Sequence, residues 1–170
     1  KAKVGNGIDP NTAARNVGIV YDTVTGVAID LGALPGRNGA LAFAVSNAGH
    51  VVGSTMMNQG DGTPYIWTQE GGMVEIGLPS GASSGSARGV NSHGWVVGIG
   101  SGLFARPFVY DGNETYMLQD ILVDSDGWDI SMNTSSGALG ISDNGTIIGT
   151  GIFNGQTHAF AAILVPSPSV

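Results

Sequence analysis

The chain has 170 residues, a hydrophobic fraction of 42% and a formal net charge of −7. That length is one domain's worth and is enough to bury a core. Only 11% of residues are charged, the six basic ones are scattered and there are no cysteines. These counts exclude a clustered phosphate-binding surface for nucleic acid, a disulfide framework, a thiolate metal site and a cysteine nucleophile. An anionic membrane surface is disfavoured for the same reason as nucleic acid. No run of 18 apolar residues occurs, so no membrane span is expected. The chain opens on Lys1 rather than Met, and a processed or trimmed product is expected.

The 29 glycines, with abundant Ser, Thr and Asn, point to short strands joined by tight turns. Lys1 to Ile8 reads as a worn strand. Gly18–Asp22 (GIVYD) is the first of four short aromatic and β-branched strands. The others are Pro64–Trp67, Pro107–Asp111 and Ala159–Ala162. Asp30–Leu31, Glu75–Ile76 and Asp120–Ile121 each end an acidic–aliphatic strand. Between these lies a gap-free repeat: Leu41–Gly53 (LAFAVSNAGHVVG), Ser86–Gly98 (SARGVNSHGWVVG) and Gly137–Gly149 (GALGISDNGTIIG). Its closing glycines are 45 and then 51 residues apart.

Within the repeat, Val45, Val90 and Ile141 end a strand. Asn47-Ala48-Gly49, Ser92-His93-Gly94 and Asp143-Asn144-Gly145 are turn sequences, with Gly supplying positive φ. The pairs Val51-Val52, Val96-Val97 and Ile147-Ile148 start a strand that is apolar on both faces, hence central and buried. Gly53, Gly98 and Gly149 then permit close backbone approach or a bend. Lys1–Ile8 is a degenerate copy of this Val-Val strand.

Four strands in roughly 45 residues is the size of a propeller blade. The expected fold is all-β, a small propeller-like array of about three four-stranded units with no substantial helix. The units span approximately 15–58, 59–103 and 104–154, with a closing strand at 157–165, in one domain over 1–170. About fourteen short antiparallel strands overfill a three-bladed ring and leave a four-bladed ring two short. Either the termini pair to complete a shared blade, or an open edge accepts another chain and allows a homo-oligomer.

Thr157-His158-Ala159-Phe160, the Asp30-Leu31-Gly32 step and the VSNAGHVVG and ISDNGTIIG blocks resemble the bacterial extracellular HAF-repeat family. The resemblance covers about residues 15 to 165. Gly127-Trp128 followed by NGQTHAF from Asn154 is similar to the final repeat of such proteins. The tail Val165-Pro166-Ser167-Pro168-Ser169 is similar to the start of a PEP-CTERM sorting signal. The resemblance implies secretion to the cell exterior or surface and a blade-like β fold, and it implies no activity. Only the last copy spells His-Ala-Phe, so a role for His158 is not shared by the other copies.

The loop Asp124-Ser125-Asp126-Gly127-Trp128-Asp129 is the foremost chemical candidate. Carboxylates at i, i+2 and i+5 around a glycine can turn their oxygens onto one hard cation, and Asp120 lies just upstream, so Ca2+ is the expected metal. The alternative is a solvated acidic loop with Trp128 a packing residue. Gly81-Ala82-Ser83-Ser84-Gly85 matches G-x-S-x-G, but a strand follows it where a nucleophile elbow needs a helix, so Ser83 is expected in a loop. His50, His93 and His158 lack metal-ligand spacing and are expected to be structural or surface histidines before catalytic ones. Trp95 and Trp128, nearest to turns, are candidate stacking platforms for sugar. The primary functional expectation is a secreted, non-enzymatic β module that binds glycan or matrix, or serves as surface structure. A small calcium-dependent hydrolase of lactones or esters and a subunit that self-assembles by strand donation from Lys1–Ile8 are the alternatives.

Overall fold

The computed structural model describes residues 1–8, 16–56, 61–131 and 133–164. The tail at 165–170 and the boundary near 58–59 lie outside these. Among the described residues, fifteen strands form four antiparallel sheets, with one helical turn between the last two. Sheet I holds β1 (Ala2–Ile8), β2 (Asn16–Asp22) and β3 (Ala28–Asp30). Sheet II holds β4 (Gly39–Val45), β5 (Val51–Met56), β6 (Thr63–Thr68) and β7 (Gly72–Glu75). Sheet III holds β8 (Ser84–Val90), β9 (Val96–Ser101), β10 (Ala105–Tyr110) and β11 (Thr115–Met117). After α1 (Leu118–Ile121), sheet IV holds β12 (Trp128–Asp129), β13 (Gly137–Ile141), β14 (Thr146–Phe153) and β15 (Gln156–Ile163).

Sheets II and III run small-residue strand, Val-Val strand, aromatic strand, acidic–aliphatic strand. The register repeats residue for residue. Val4 faces Val20, Val52 faces Ile66, Val97 faces Val109 and Ile148 faces Ala161. Sheet I therefore begins at the second strand of the series, and sheet IV stops at the third. The sheets are out of phase with the sequence units, because the step from each acidic strand to the next small-residue strand crosses to the following sheet.

The third acidic–aliphatic strand also differs from expectation. Met117 lies opposite Phe108 as Glu75 lies opposite Tyr65 and Asp30 opposite Ile19. Met117-Leu118 thus takes the place expected for Asp120–Ile121, which wind into the helical turn instead. The turn after β10 sets this register, since the Asp111 carboxylate accepts the backbone N–H groups of Asn113 and Glu114 at 2.8 Å.

The side chains of each Val-Val pair divide between two interfaces because strand side chains alternate. Val51 packs between sheets I and II, Val52 and Val96 between II and III, and Val97 and Ile147 between III and IV. All but Ile148 among these six aliphatics are fully buried, and each buried side chain contributes about 1.5–3 kcal/mol. Three apolar clusters result, one per successive pair of sheets. Among the described residues no such cluster joins sheet IV to sheet I.

Each small-residue strand carries a bulge at one repeat position, between Ala42 and Ala44, Ala87 and Gly89, and Ala138 and Gly140. The bulged residues are Phe43, Arg88 and Leu139, and the Arg88 guanidinium sits 4.5 Å over the Phe43 ring.

Candidate binding cleft and the open edge of the last sheet

The turns that join small-residue to Val-Val strands share one geometry. The N–H groups of Ser46, Asn91 and Ser142 donate to the carbonyls of His50, Trp95 and Thr146 at 2.9, 3.0 and 2.9 Å. Gly49, Gly94 and Gly145 supply φ values of 87°, 81° and 82°, which only glycine adopts without strain. The turns also stack on one another. His50 Nδ1 lies 3.4 Å from the Asn91 carbonyl, Asn91 Nδ2 donates to the Ser142 carbonyl at 3.3 Å, and the Ser92 N–H donates to Asp143 Oδ1 at 2.8 Å. That last bond is the first cause holding the Asp143 carboxyl below the ordinary aspartate range.

Among the described residues, sheet I has no small-residue strand and no turn of this kind. Beside Asn47–His50, where a preceding turn would stack, a cleft of about 840 Å³ opens between sheets I and II. Val20, Ile29 and Trp67 line its apolar part, and Lys1, Asp22, Asn47, Gln69 and Glu70 its polar part. Asp22 accepts the Val24 N–H at 2.8 Å, and this bond leads the causes that lower its carboxyl pKa.

At the other end, among the described residues, sheet IV has no acidic–aliphatic strand beside β15. A groove of about 1020 Å³ lies along β15, bounded by Ile121–Ser125 and containing Trp128 and Ile130. On the face that would meet a further sheet, Ile148 is 55% exposed, although its counterparts Val52 and Val97 are fully buried.

The residues singled out in the sequence are dispersed. His50 belongs to the turn stack. His93 is exposed in the next turn, its N–H on Asn91 Oδ1 at 3.0 Å, and the Trp95 N–H donates to the same oxygen at 3.0 Å. His158 is exposed on β15, with its ring centroid 6.5 Å from that of Trp128 and 6.0 Å from that of Phe153, both in edge-on geometry. Trp128 packs on Phe153 at 5.0 Å and on Phe160 at 6.1 Å, so it is partly a packing residue and partly groove wall. Ser83 Oγ donates to the Ser101 carbonyl at 3.3 Å, and β8 follows it directly.

In the acidic loop, Asp120, Asp124 and Asp126 are exposed and Asp124 has a φ of 57°. Asp129 Oδ1 accepts the Ser131 N–H at 3.0 Å. Among the described residues, no group of three or more His, Asp or Glu side chains is gathered as a metal site would need. No helix among them is long and apolar enough to cross a membrane.

The cleft residues Asp22, Gln69 and Glu70 escaped sequence reasoning. No motif marks them, because the packing of sheets I and II and not spacing along the chain brings them together. No protein-family model matches the chain, and no curated protein matches it.

Proposed function

We propose that the protein is a secreted, non-enzymatic β-repeat module that binds a glycan or a similar matrix polymer in the cleft between sheets I and II. The observation that carries this reading is the mixed lining of that cleft. A sugar presents apolar C–H faces and hydroxyls that both donate and accept. It is recognised by an aromatic or aliphatic floor with a few planar polar groups around it. Trp67, Val20 and Ile29 have the first chemistry, and Asp22, Asn47, Gln69, Glu70 and Lys1 the second. The volume of about 840 Å³ suits a short oligosaccharide segment. Secretion rests on the resemblance of the repeat blocks to extracellular HAF-repeat proteins.

A glycan array, followed by titration of the hits against tryptophan fluorescence, tests this reading. The expected result is saturable binding that Gln69→Ala and Glu70→Ala together weaken by about tenfold, as loss of one or two polar contacts predicts. Both side chains are exposed, so the double variant is expected to keep its fold. A blank array together with no binding to bacterial exopolysaccharide overturns the reading.

A further inference from the structure

Three triplets in the chain have the form N-x-S/T without a proline, the pattern that an oligosaccharyltransferase reads as an asparagine acceptor. They are Asn113-Glu114-Thr115, Asn133-Thr134-Ser135 and Asn144-Gly145-Thr146. The fold treats them differently. Asn133 is half-buried, and both ends of its carboxamide are engaged. Its Nδ2 donates to the Asp129 carbonyl at 3.1 Å, and its Oδ1 accepts the Ser135 N–H at 2.8 Å. Asn144 is exposed, but its Oδ1 accepts the hydroxyls of Ser142 and Thr146, and Thr146 is paired with Ile163 in the β14–β15 ladder. Asn113 stands apart from both. It is exposed at the tip of the β10–β11 hairpin, and among the described residues nothing hydrogen-bonds its carboxamide. The ladder of that hairpin begins at Tyr110 and Thr115, so Asn113 and Glu114 lie outside it. The Asp111 carboxylate holds the tip by its own N–H groups, which leaves the Asn113 side chain outside the turn. Asp111 also stands two residues before the acceptor, an acid that transferases of bacterial type require, where the other two triplets have Ser131 and Ser142.

We infer that Asn113 is an acceptor for an N-linked oligosaccharide, carried to it as a polyprenyl diphosphate sugar by an oligosaccharyltransferase. In the transfer, Asn113 Nδ2 attacks the anomeric carbon of the first sugar. A C–N bond forms, the bond from that carbon to the diphosphate oxygen breaks, and polyprenyl diphosphate leaves with the electron pair. The Nδ2 proton passes to a carboxylate of the transferase. The transferase also reads the hydroxyl two residues on. Thr115 donates its hydroxyl to the Gly77 carbonyl at 2.8 Å, and this bond must open first. One such bond is worth about a factor of five. The addition makes the residue bulky and solvated, and the hairpin tip has open solvent to hold it. Use of the site in the cell rests on the export proposed above, whereas acceptance of the sugar is a property of the fold.

The test uses the purified full chain, a detergent-solubilised transferase that reads N-x-S/T alone, and its lipid-linked oligosaccharide. Peptides of residues 109–117, 130–138 and 141–149 serve as unfolded references, and products are mapped by mass spectrometry. All three peptides are expected to gain one oligosaccharide less one water. The folded chain is expected to gain it on Asn113 alone, about fivefold more slowly than the 109–117 peptide. Asn113→Gln, at an exposed and unrestrained position, is expected to remove the modification and leave the circular dichroism spectrum unchanged. A folded chain that stays unmodified, a 109–117 peptide that is not an acceptor, or Asn133 or Asn144 modified in the folded chain as fast as Asn113 overturns the proposal. The components are purified and Asn113 does not line the cleft between sheets I and II. Failure of the export reading or of glycan binding therefore leaves this readout unchanged.

Discussion

Four glycines occupy one repeat position, and only three of them are sterically required. Gly5, Gly53, Gly98 and Gly149 lie opposite Ile19, Tyr65, Phe108 and Phe160. A Cβ on Gly98 would collide with the Ser86 carbonyl oxygen and sit 2.6 Å from the Phe108 ring, and Gly149 meets the Gly137 carbonyl and Phe160 in the same way. The obstacle is the small-residue strand, whose bulge turns a carbonyl toward the Val-Val strand. Sheet I has no such strand, and a Cβ on Gly5 meets nothing within 4 Å. Gly98→Ala is therefore expected to cost about 3 kcal/mol, the upper end for overpacking, because the obstructing atom is backbone within a paired ladder and cannot swing away. In a domain of this size that is a fall of roughly 6–12 °C in Tm. Gly5→Ala is expected within about 0.5 kcal/mol of the parent. Thermal unfolding followed by circular dichroism, with urea titration of both variants, measures the difference. Equal losses for the two would refute the reasoning, because the cost would then belong to the glycine's intrinsic freedom and not to the neighbouring strand.

Tyr65→Phe removes the hydroxyl that donates to the Leu41 carbonyl at 3.1 Å. A loss of about 1 kcal/mol in a urea titration is expected, and not more, since Phe108 and Phe160 hold the equivalent positions. Ile148→Asp is expected to change stability by less than about 0.5 kcal/mol, while Val97→Asp, at the equivalent buried position, is expected to unfold the domain. Acid sensitivity follows from Asp22, Asp111 and Asp143, whose folded pKa values all lie below the ordinary 3.8, chiefly through backbone N–H bonds. Their contribution is present in full above that value and is lost as pH falls through the folded values, so the urea midpoint should drop there. Asp143→Asn, which keeps an acceptor for the Ser92 N–H but does not titrate, is expected to make that drop shallower.

The repeat was legible because its physics is local. A β-branched pair buried on both faces, a turn with its glycine at positive φ, and a small residue under a bulge are each written in a few adjacent positions. What the sequence hid was phase. Nothing in the order of strand types says that the sheet boundary falls after the acidic strand, since that depends on which connection crosses to the next sheet. The third outer strand was misplaced for a related reason. Met117 stands where the other copies have an acid, and the true Asp120-Ile121 pair three residues on imitates the motif. In the acidic loop the spacing of the carboxylates along the chain is visible in the sequence and their orientation is not. In the fold, Asp129 is turned onto the Ser131 N–H. The cleft and the groove were invisible because each depends on how separate sheets pack and not on any run of adjacent residues.

The outward faces of the first and last sheets meet solvent differently. Lys3 in sheet I lies opposite Tyr21, the place that Val51, Val96 and Ile147 hold in the later sheets, so the outward face of sheet I is capped by a charge. Repeat arrays need such polar caps at their ends. Sheet IV has no counterpart, and its outward face carries Ile148, Ala161 and the 70% exposed Ile163. The charged and hydrogen-bonding lining of the cleft between sheets I and II suits a polyhydroxylated ligand. The cleft and the groove along β15 are bounded by different sheets and share no lining residue. Distant sites without shared partners act additively, so Ile148→Asp on the outward face of sheet IV is expected to leave glycan affinity at the cleft unchanged.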